Sequence, residues 1–311
     1  MSLPPLVLLV GPTAVGKTEA SLTLAERLQA EIVSADSRLL YRGLDIGTAK
    51  PTPEERRRVR HHLVDVAHPG DVWTLAQVRL AVLEAVEDIT GRGRLPLVVG
   101  GTGQYIRALL EGWEPPAEGA HPSAARLRLE EEARRLGGEA LHARLRVLDP
   151  VSAARIDARN VRRVIRALEI CELTGVPAAD QRRRAPLPFR ILCLGLWLPR
   201  AELYARIDAR LDAMLHAGWE EEVRGLLAAG CDPAAPAFSA IGYPQLVEVV
   251  NGRLSLDEAK AEIRKRTRAF VRRQANWFKP GDPGIRWFEN RPGVIEQLES
   301  EIRGWLAAGM G

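Results

Sequence analysis

The residues best suited to chemistry near the start of the chain are Gly11-Pro-Thr13-Ala14-Val15-Gly16-Lys17-Thr18. They match the spacing G-x-x-x-x-G-K-[ST] at every fixed position, between an apolar run at 6–10 and a helical pattern at 18–29. In a strand–loop–helix setting the glycines let the backbone curl, so that the N–H groups of residues 13–18 turn inward. The positive end of the following helix adds to their field. Lys17 supplies a full charge, and the Thr18 hydroxyl can hold a magnesium-bound oxygen. The segment therefore predicts a polyphosphate cradle working with Mg2+. The competing reading, a glycine-rich turn with no ligand, has both flanks and all fixed positions against it.

A cradle does not say what happens to the phosphate. Loops of this kind that serve hydrolysis are usually joined by a second apolar strand ending in an acidic residue that helps hold magnesium. The apolar run at 95–99 leads instead into Gly100-Gly-Thr102-Gly103, and the run at 191–197 also lacks a terminal carboxylate. The one strand-end carboxylate is Asp36, after the short run at 31–34. This pattern fits ATP hydrolysis poorly and leaves open another use, such as gripping a pyrophosphate leaving group. On the residues alone, Asp36 reads equally as a general base or as a magnesium ligand or helix cap. Thr102 lies at a strand end in a glycine turn, where its hydroxyl can meet a ligand or simply cap the next helix.

The elements that must position these residues alternate. Strand patterns at 6–10, 31–34 and 95–99 are separated by helical ones at 18–29 and 72–90, which predicts an α/β fold of the P-loop nucleoside-triphosphate-hydrolase type: a parallel sheet flanked by helices. Near Trp113 the pattern changes. A Pro- and Gly-containing stretch at 114–122 reads as a linker, and 123–174 reads as helices only. A strand pattern returns at 191–197, then helices to Trp277, a possible strand at 284–288 and a closing helix at 294–308. The expected organisation is a catalytic core, 1–114 plus 191–311, interrupted by an all-helical insertion domain at 115–190 that contacts RNA.

Of 44 basic residues 39 are Arg, against a formal net charge of only +4. A GC-rich coding bias explains that excess as well as polyanion binding does, so local clustering has to decide. Two clusters stand out. Residues 155–166 hold five Arg and one Asp, with Arg159, Arg162, Arg163 and Arg166 near one helical face; residues 264–273 hold six basic residues and no acid, with Phe270, Trp277 and Phe278 close by. Charge for phosphates and rings for bases suit single-stranded RNA, while a solvated helix face is the alternative for each. Arg182-Arg-Arg184 reads as a solvated loop. Cys171, Cys193 and Cys231 are scattered, and His61, His62 and His68 lack the spacing of metal ligands. No apolar run approaches a membrane span or a signal peptide. A cytoplasmic monomer with no membrane partner is expected.

Several further stretches carry a resemblance: Val33-Ser-Ala-Asp36-Ser37, Tyr41-Arg-Gly-Leu-Asp45-Ile-Gly-Thr48-Ala-Lys50-Pro51, His61-His-Leu-Val-Asp65, and Val98-Val-Gly-Gly-Thr102-Gly. Later come Arg166-Ala-Leu-Glu169, Leu203-Tyr-Ala-Arg206-Ile-Asp-Ala-Arg210, Ile241-Gly-Tyr243, and Arg272-Arg-Gln274 with Trp277-Phe278. Together they resemble the bacterial tRNA dimethylallyltransferases (tRNA isopentenyltransferases), in that family's order and over nearly the whole chain. The chain departs at Gln104, where the family usually has Leu, at Arg159-Asn160-Val161, which stand in the region of the family's usual Asn-Asp, and at Arg272, where it usually has Lys.

The resemblance implies transfer of a dimethylallyl group from dimethylallyl diphosphate to N6 of the adenine just 3′ of the anticodon. It moves Asp36 to general base, makes Arg210 a pyrophosphate clamp, and puts Thr102 beside the amine or phosphate. It implies contacts with the tRNA anticodon stem-loop at Ser37, Arg38 and Leu39, and at Asn160, Arg162, Arg163 and Arg166. Further contacts are implied at Ile241, Gly242 and Tyr243, and at Arg272, Arg273, Gln274 and Trp277. Arg206, one turn before Arg210, reads as a solvated charge. A P-loop kinase of a small metabolite, or a non-catalytic RNA-binding protein, are the other classes the sequence admits. The lack of a carboxylate after the runs at 95–99 and 191–197 and the arginine helices count against the first, and Asp36 in its motif against the second.

Overall fold

The computed structural model of the chain describes residues 3–115, 123–180, 183–279 and 281–309. Most of the linker read at 114–122, and Arg182, lie outside them. Eight strands occur among the described residues: β1 (Pro5–Val10), β2 (Ala30–Ser34), β3 (His61–His62), β4 (Leu95–Gly100), β5 (Trp113–Glu114), β6 (Arg183–Arg184), β7 (Arg190–Trp197) and β8 (Arg286–Glu289). Six of them form one sheet in the order β3-β2-β4-β1-β7-β8, every neighbouring pair parallel. The expected P-loop-type α/β fold is what the chain adopts.

Leu6 to Val10 are fully buried, as a central parallel strand covered on both faces requires. One core joins β1, β2, β4 and β7 to helices Lys17–Leu28, Arg200–His216 and Val294–Ala307, with Leu9, Leu24, Leu194 and Leu298 at zero exposure. The His61–His62 strand was not anticipated. It adds to the β2 edge, where His62 Nε2 lies 2.7 Å from Glu31 Oε2.

Register sets the site. Val10 lies opposite both Gly100 and Gly195, and Val99 opposite Ser34, so β1, β2, β4 and β7 end at one edge. The chain leaves β1 into the Gly11 loop, β2 toward Asp36 and β4 toward Thr102. Ligands of such sheets bind at this carboxyl edge, where neighbouring connections run in opposite directions, as they do around β1 and β4.

The described chain divides into two compact units. One comprises Met1–Asp71, Gln77–Leu110 and Leu187–Gly311; the other Val72–Ala76 and Glu111–Pro186. The second has its own core of Leu129, Leu141, Leu145, Val164 and Leu168, built from helices Ala124–Leu136, Gly138–Leu148, Pro150–Arg155 and Val161–Thr174. It is not purely helical: β5 and β6 pair antiparallel, Trp113 with Arg184. Arg184, expected in a loop, therefore lies in a strand and pairs with Glu111 at 2.9 Å. Each of these strands is two residues long, too short for an alternating pattern to reveal.

Candidate active site

In the loop after β1, Gly11, Ala14 and Gly16 have φ of +150°, +64° and +101°, the backbone that turns peptide groups inward. Helix Lys17–Leu28 starts directly behind it. The Lys17 ammonium lies across the loop, donating to the carbonyls of Gly11 (3.0 Å) and Pro12 (2.8 Å). Burial pulls its pKa down to about 8; the Asp36 carboxylate opposes this and the Arg210 guanidinium adds to it. Burial likewise lowers the pKa of Arg210, again against Asp36. The three charges thus feel one another within a single site.

Thr13 and Ala14 of the loop, Asp36 and Arg210 line a cavity of about 480 Å3 within the first unit. Thr13, Asp36, Ser37, Arg38, Thr102 and Arg210 give it polar lining, and Ile207, Leu211, Met214, Ile263 and Phe270 apolar lining. Asp36 Oδ1 accepts the Arg38 N–H at 2.8 Å, which fixes the carboxylate against its own turn. The Ser37 N–H points at Thr102 Oγ1, 3.4 Å away, tying the β2 and β4 exits together. Burial raises the pKa of Tyr105 to about 12, with the Asp36 charge adding to the effect.

Glycine is required where the β4 exit meets the cradle. A Cβ on Gly101 would lie 2.6 Å from Gln274 Nε2, 3.1 Å from the Gly11 carbonyl and 3.7 Å from Lys17 Nζ. Gln274, near the end of helix Leu256–Trp277, is buried there: it accepts the Thr13 N–H (3.1 Å) and donates to the Gly101 carbonyl (2.9 Å). The Thr13 N–H, expected to face phosphate, is already given to Gln274; and the Gln274 amide, expected to meet RNA, is engaged on both sides by backbone.

Ile241 lines the cavity, but the Tyr243 side chain is fully buried and its hydroxyl donates to Glu222 Oε1 at 2.6 Å. Tyr243, expected to contact RNA, does not line the cavity with its neighbour Ile241. Glu222 is a residue that sequence reasoning missed. Its other oxygen accepts the N–H groups of Asp45 (2.8 Å) and Ile46 (2.7 Å). Trp219, one turn earlier, packs where a Cβ on Gly47 or Gly242 would stand, 2.0 Å from its ring. The only sequence signal was the glycine in each of two separate motifs.

Leu39 is half-buried and its carbonyl accepts the Asp65 N–H, while Arg38 reaches the Pro236 carbonyl (3.2 Å) and Ser239 Oγ (2.9 Å). The basic cluster of helix Leu256–Trp277 is largely compensated. Arg264 and Arg268 pair with Asp208 of helix Arg200–His216, and Lys265 and Arg266 pair with Glu262. Arg272 and Arg273 are exposed, and Arg273 lies 5.9 Å from the Phe270 ring centre. Trp277 lines the cavity and occupies the space a Cβ on Gly103 would need.

In the second unit Asn160 caps helix Val161–Thr174, accepting the Arg163 N–H. Arg159 precedes that helix and pairs with Asp157, so it does not share the face of the others. Arg166 pairs with buried Glu169 at 2.8 Å; Arg162 and Arg163 are exposed, with no ion pair among the described residues.

Among the described residues there is no group of three or more His, Cys, Asp or Glu that could hold a metal ion, and no helix is long and apolar enough to cross a membrane. A divalent ion here would rest on few protein groups, with the exposed Thr18 hydroxyl and Asp36 the nearest candidates. That set fits magnesium carried by diphosphate oxygens and water rather than caged by protein.

The comparisons agree with this architecture. The family model described as IPP transferase matches residues 39–281, and one described as isopentenyl transferase matches 4–68. A protein of Roseiflexus castenholzii named tRNA dimethylallyltransferase is 48% identical over 96% of this chain and 97% of its own. One of the same name from Thermomicrobium roseum is 50% identical over 96% and 90%. The crystal structure of a tRNA isopentenylpyrophosphate transferase from Bacillus halodurans superposes with a TM-score of 0.72 at 36% identity, covering 98% of both chains. With a matching model over most of its length and relatives of near-complete overlap, the chain belongs to the IPP transferase family.

Proposed function

We propose that this chain transfers a dimethylallyl group from dimethylallyl diphosphate to N6 of the adenine 3′-adjacent to the anticodon in tRNA, giving N6-isopentenyladenosine and diphosphate. The observation that carries this reading is one cavity lined by Thr13 and Ala14 of the phosphate cradle, a single carboxylate, Asp36, and a set of apolar side chains. A polar end for diphosphate, an apolar wall for a five-carbon chain and a base beside both are the three things the reaction needs.

The bond formed is N6–C1 of the allyl group and the bond broken is C1–O of the diphosphate. The N6 amine is a poor nucleophile because its lone pair is delocalised into the ring, and it must lose a proton as the bond forms. Asp36 takes that proton. Its carboxylate is oriented by the Arg38 N–H, and its Oδ2 carries no hydrogen bond among the described residues. The electron pair of the C1–O bond leaves on the diphosphate, where Lys17, Arg210 and the remaining N–H groups of the cradle meet the growing charge. Thr102 orients the amine or a phosphate oxygen. Magnesium, held on the protein side by Thr18, would neutralise diphosphate charge. The apolar wall keeps water from the allylic carbon.

The adenine has to leave its stack to reach a cavity of this kind. Arg162, Arg163, Arg272 and Arg273 are exposed and serve the phosphates of the anticodon stem-loop, and the protein acts as a cytoplasmic monomer. The test is mass spectrometry of nucleosides from tRNA incubated with the protein, magnesium and dimethylallyl diphosphate. N6-isopentenyladenosine in the anticodon loop is the expected product; unmodified adenosine in every tRNA tried would overturn the reading.

A further inference from the structure

We propose that Asn290 is a positioning residue for the diphosphate cradle, acting through the Val15–Gly16 peptide. Asn290 follows β8, 275 positions from the loop it touches, and its Nδ2 donates to the Val15 carbonyl at 2.6 Å. The Asn290 backbone is itself fixed, its N–H donating to the Trp197 carbonyl at 3.0 Å as a continuation of the β7–β8 pairing. The donor thus comes from the rigid edge of the sheet.

In a planar trans peptide the C=O and the following N–H point in opposite directions. Holding the Val15 carbonyl therefore sets the direction of the Gly16 N–H. Asn290 leaves the sheet at β8, on one flank of β1; Asp36 and Thr102 leave at β2 and β4, on the other. A Val15 carbonyl turned toward Asn290 sends the Gly16 N–H toward the flank of Asp36 and Thr102, where the diphosphate must lie.

This peptide needs such a hold. Gly16 sits at φ +101°, and a glycine tolerates both orientations of the peptide before it, so the loop's own sequence does not choose between them. The contact is also tight: a Cβ on Gly16 would lie 2.3 Å from Asn290 Nδ2. Gly16 thus serves twice, by its backbone freedom and by admitting the Asn290 amide. Without that amide the peptide samples the flipped state, which presents a carbonyl to the phosphate in place of a donor.

The inference rests on the proposed use of the cradle for diphosphate, and its test separates the two. Inorganic pyrophosphate with magnesium is titrated calorimetrically into wild type, Asn290→Ala, Asn290→Asp and Asn290→His. Steady-state rates are measured with tRNA and dimethylallyl diphosphate varied in turn. Loss of one well-aimed N–H to a charged ligand should weaken pyrophosphate binding about tenfold in Asn290→Ala. The KM for dimethylallyl diphosphate should rise in step, with the KM for tRNA unchanged. Asn290→Asp keeps the shape but cannot donate and adds charge, so it should lose more; Asn290→His, whose Nδ1–H can replace Nδ2, should recover most of the affinity. Wild-type pyrophosphate affinity in both Asn290→Ala and Asn290→Asp would overturn the proposal, as would a tRNA KM rising in parallel with that for the diphosphate. If the wild type binds pyrophosphate but makes no isopentenyladenosine, the reading of the reaction fails while the calorimetry still decides the role of Asn290.

Discussion

Gln274 and Thr13 stand 261 positions apart, and the Gln274 carboxamide accepts the Thr13 N–H while its own N–H2 donates to Gly101. One buried side chain thus fixes the distance between the phosphate cradle and the β4 exit that carries Thr102. Gln274→Ala leaves two backbone groups without partners, each costing about 1–3 kcal/mol if it stays dry. The expected result is a lower Tm by differential scanning calorimetry, together with a kcat at least tenfold down, because cradle and Thr102 lose their common anchor. An unchanged kcat at a lowered Tm would confine Gln274 to stability.

Asp36→Asn keeps the shape and the acceptor for the Arg38 N–H but removes the basic oxygen. The rate should fall by roughly 10²–10⁴, while pyrophosphate affinity changes little. If Asp36 instead held magnesium, the variant would bind diphosphate more weakly and excess magnesium would restore part of the rate. A magnesium titration of Asp36→Asn under single-turnover conditions separates the roles.

Lys17 is charged below its pKa of about 8 and neutral above it. Its attraction for diphosphate is therefore largely present at pH 7 and is lost as pH rises through 8 in the free protein; a bound anion raises the pKa and pushes the loss higher. Pyrophosphate affinity measured between pH 7 and 10 should decline in wild type. Lys17→Ala should bind weakly at every pH and show a flatter profile. A wild-type profile no steeper than that of Lys17→Ala would exclude Lys17 as the titrating group.

Arg162 and Arg163 are the exposed cations of their helix, whereas Arg166 neutralises Glu169, a carboxylate only 3% exposed whose pKa is held down by Ser123 and Arg166 against its burial. Replacing Arg162 and Arg163 by Gln should reduce the slope of log K for tRNA against log salt by about 1–2, since fewer counterions are released, at unchanged Tm. Arg166→Gln should instead lower Tm by leaving Glu169 under-compensated. Salt titrations by filter binding, paired with melting curves, check both halves.

The strand–loop–helix form of the cradle was legible in the sequence because it is local. Residues 11–18 carry glycines, a lysine and a hydroxyl at fixed spacing, and the flanking strand and helix are patterns of short range. Asp36 and Thr102 could be named because each follows an apolar run directly, and parallel strands end at one edge. The helix of Arg162 and Arg163 was likewise readable from its own period. What the sequence could not express is which distant side chain completes each loop. Gln274 on Thr13, Asn290 on Val15, and Glu222 on Asp45 and Ile46 join residues about 175 or more positions apart. Each of these hydrogen bonds depends on strand order and helix packing that no local pattern encodes. Tertiary structure likewise divided the arginines, matching Arg264 and Arg268 to Asp208 across two helices and leaving Arg272 and Arg273 exposed. Ion pairing depends on which surfaces meet, and the spacing of charges along one helix does not specify its neighbour.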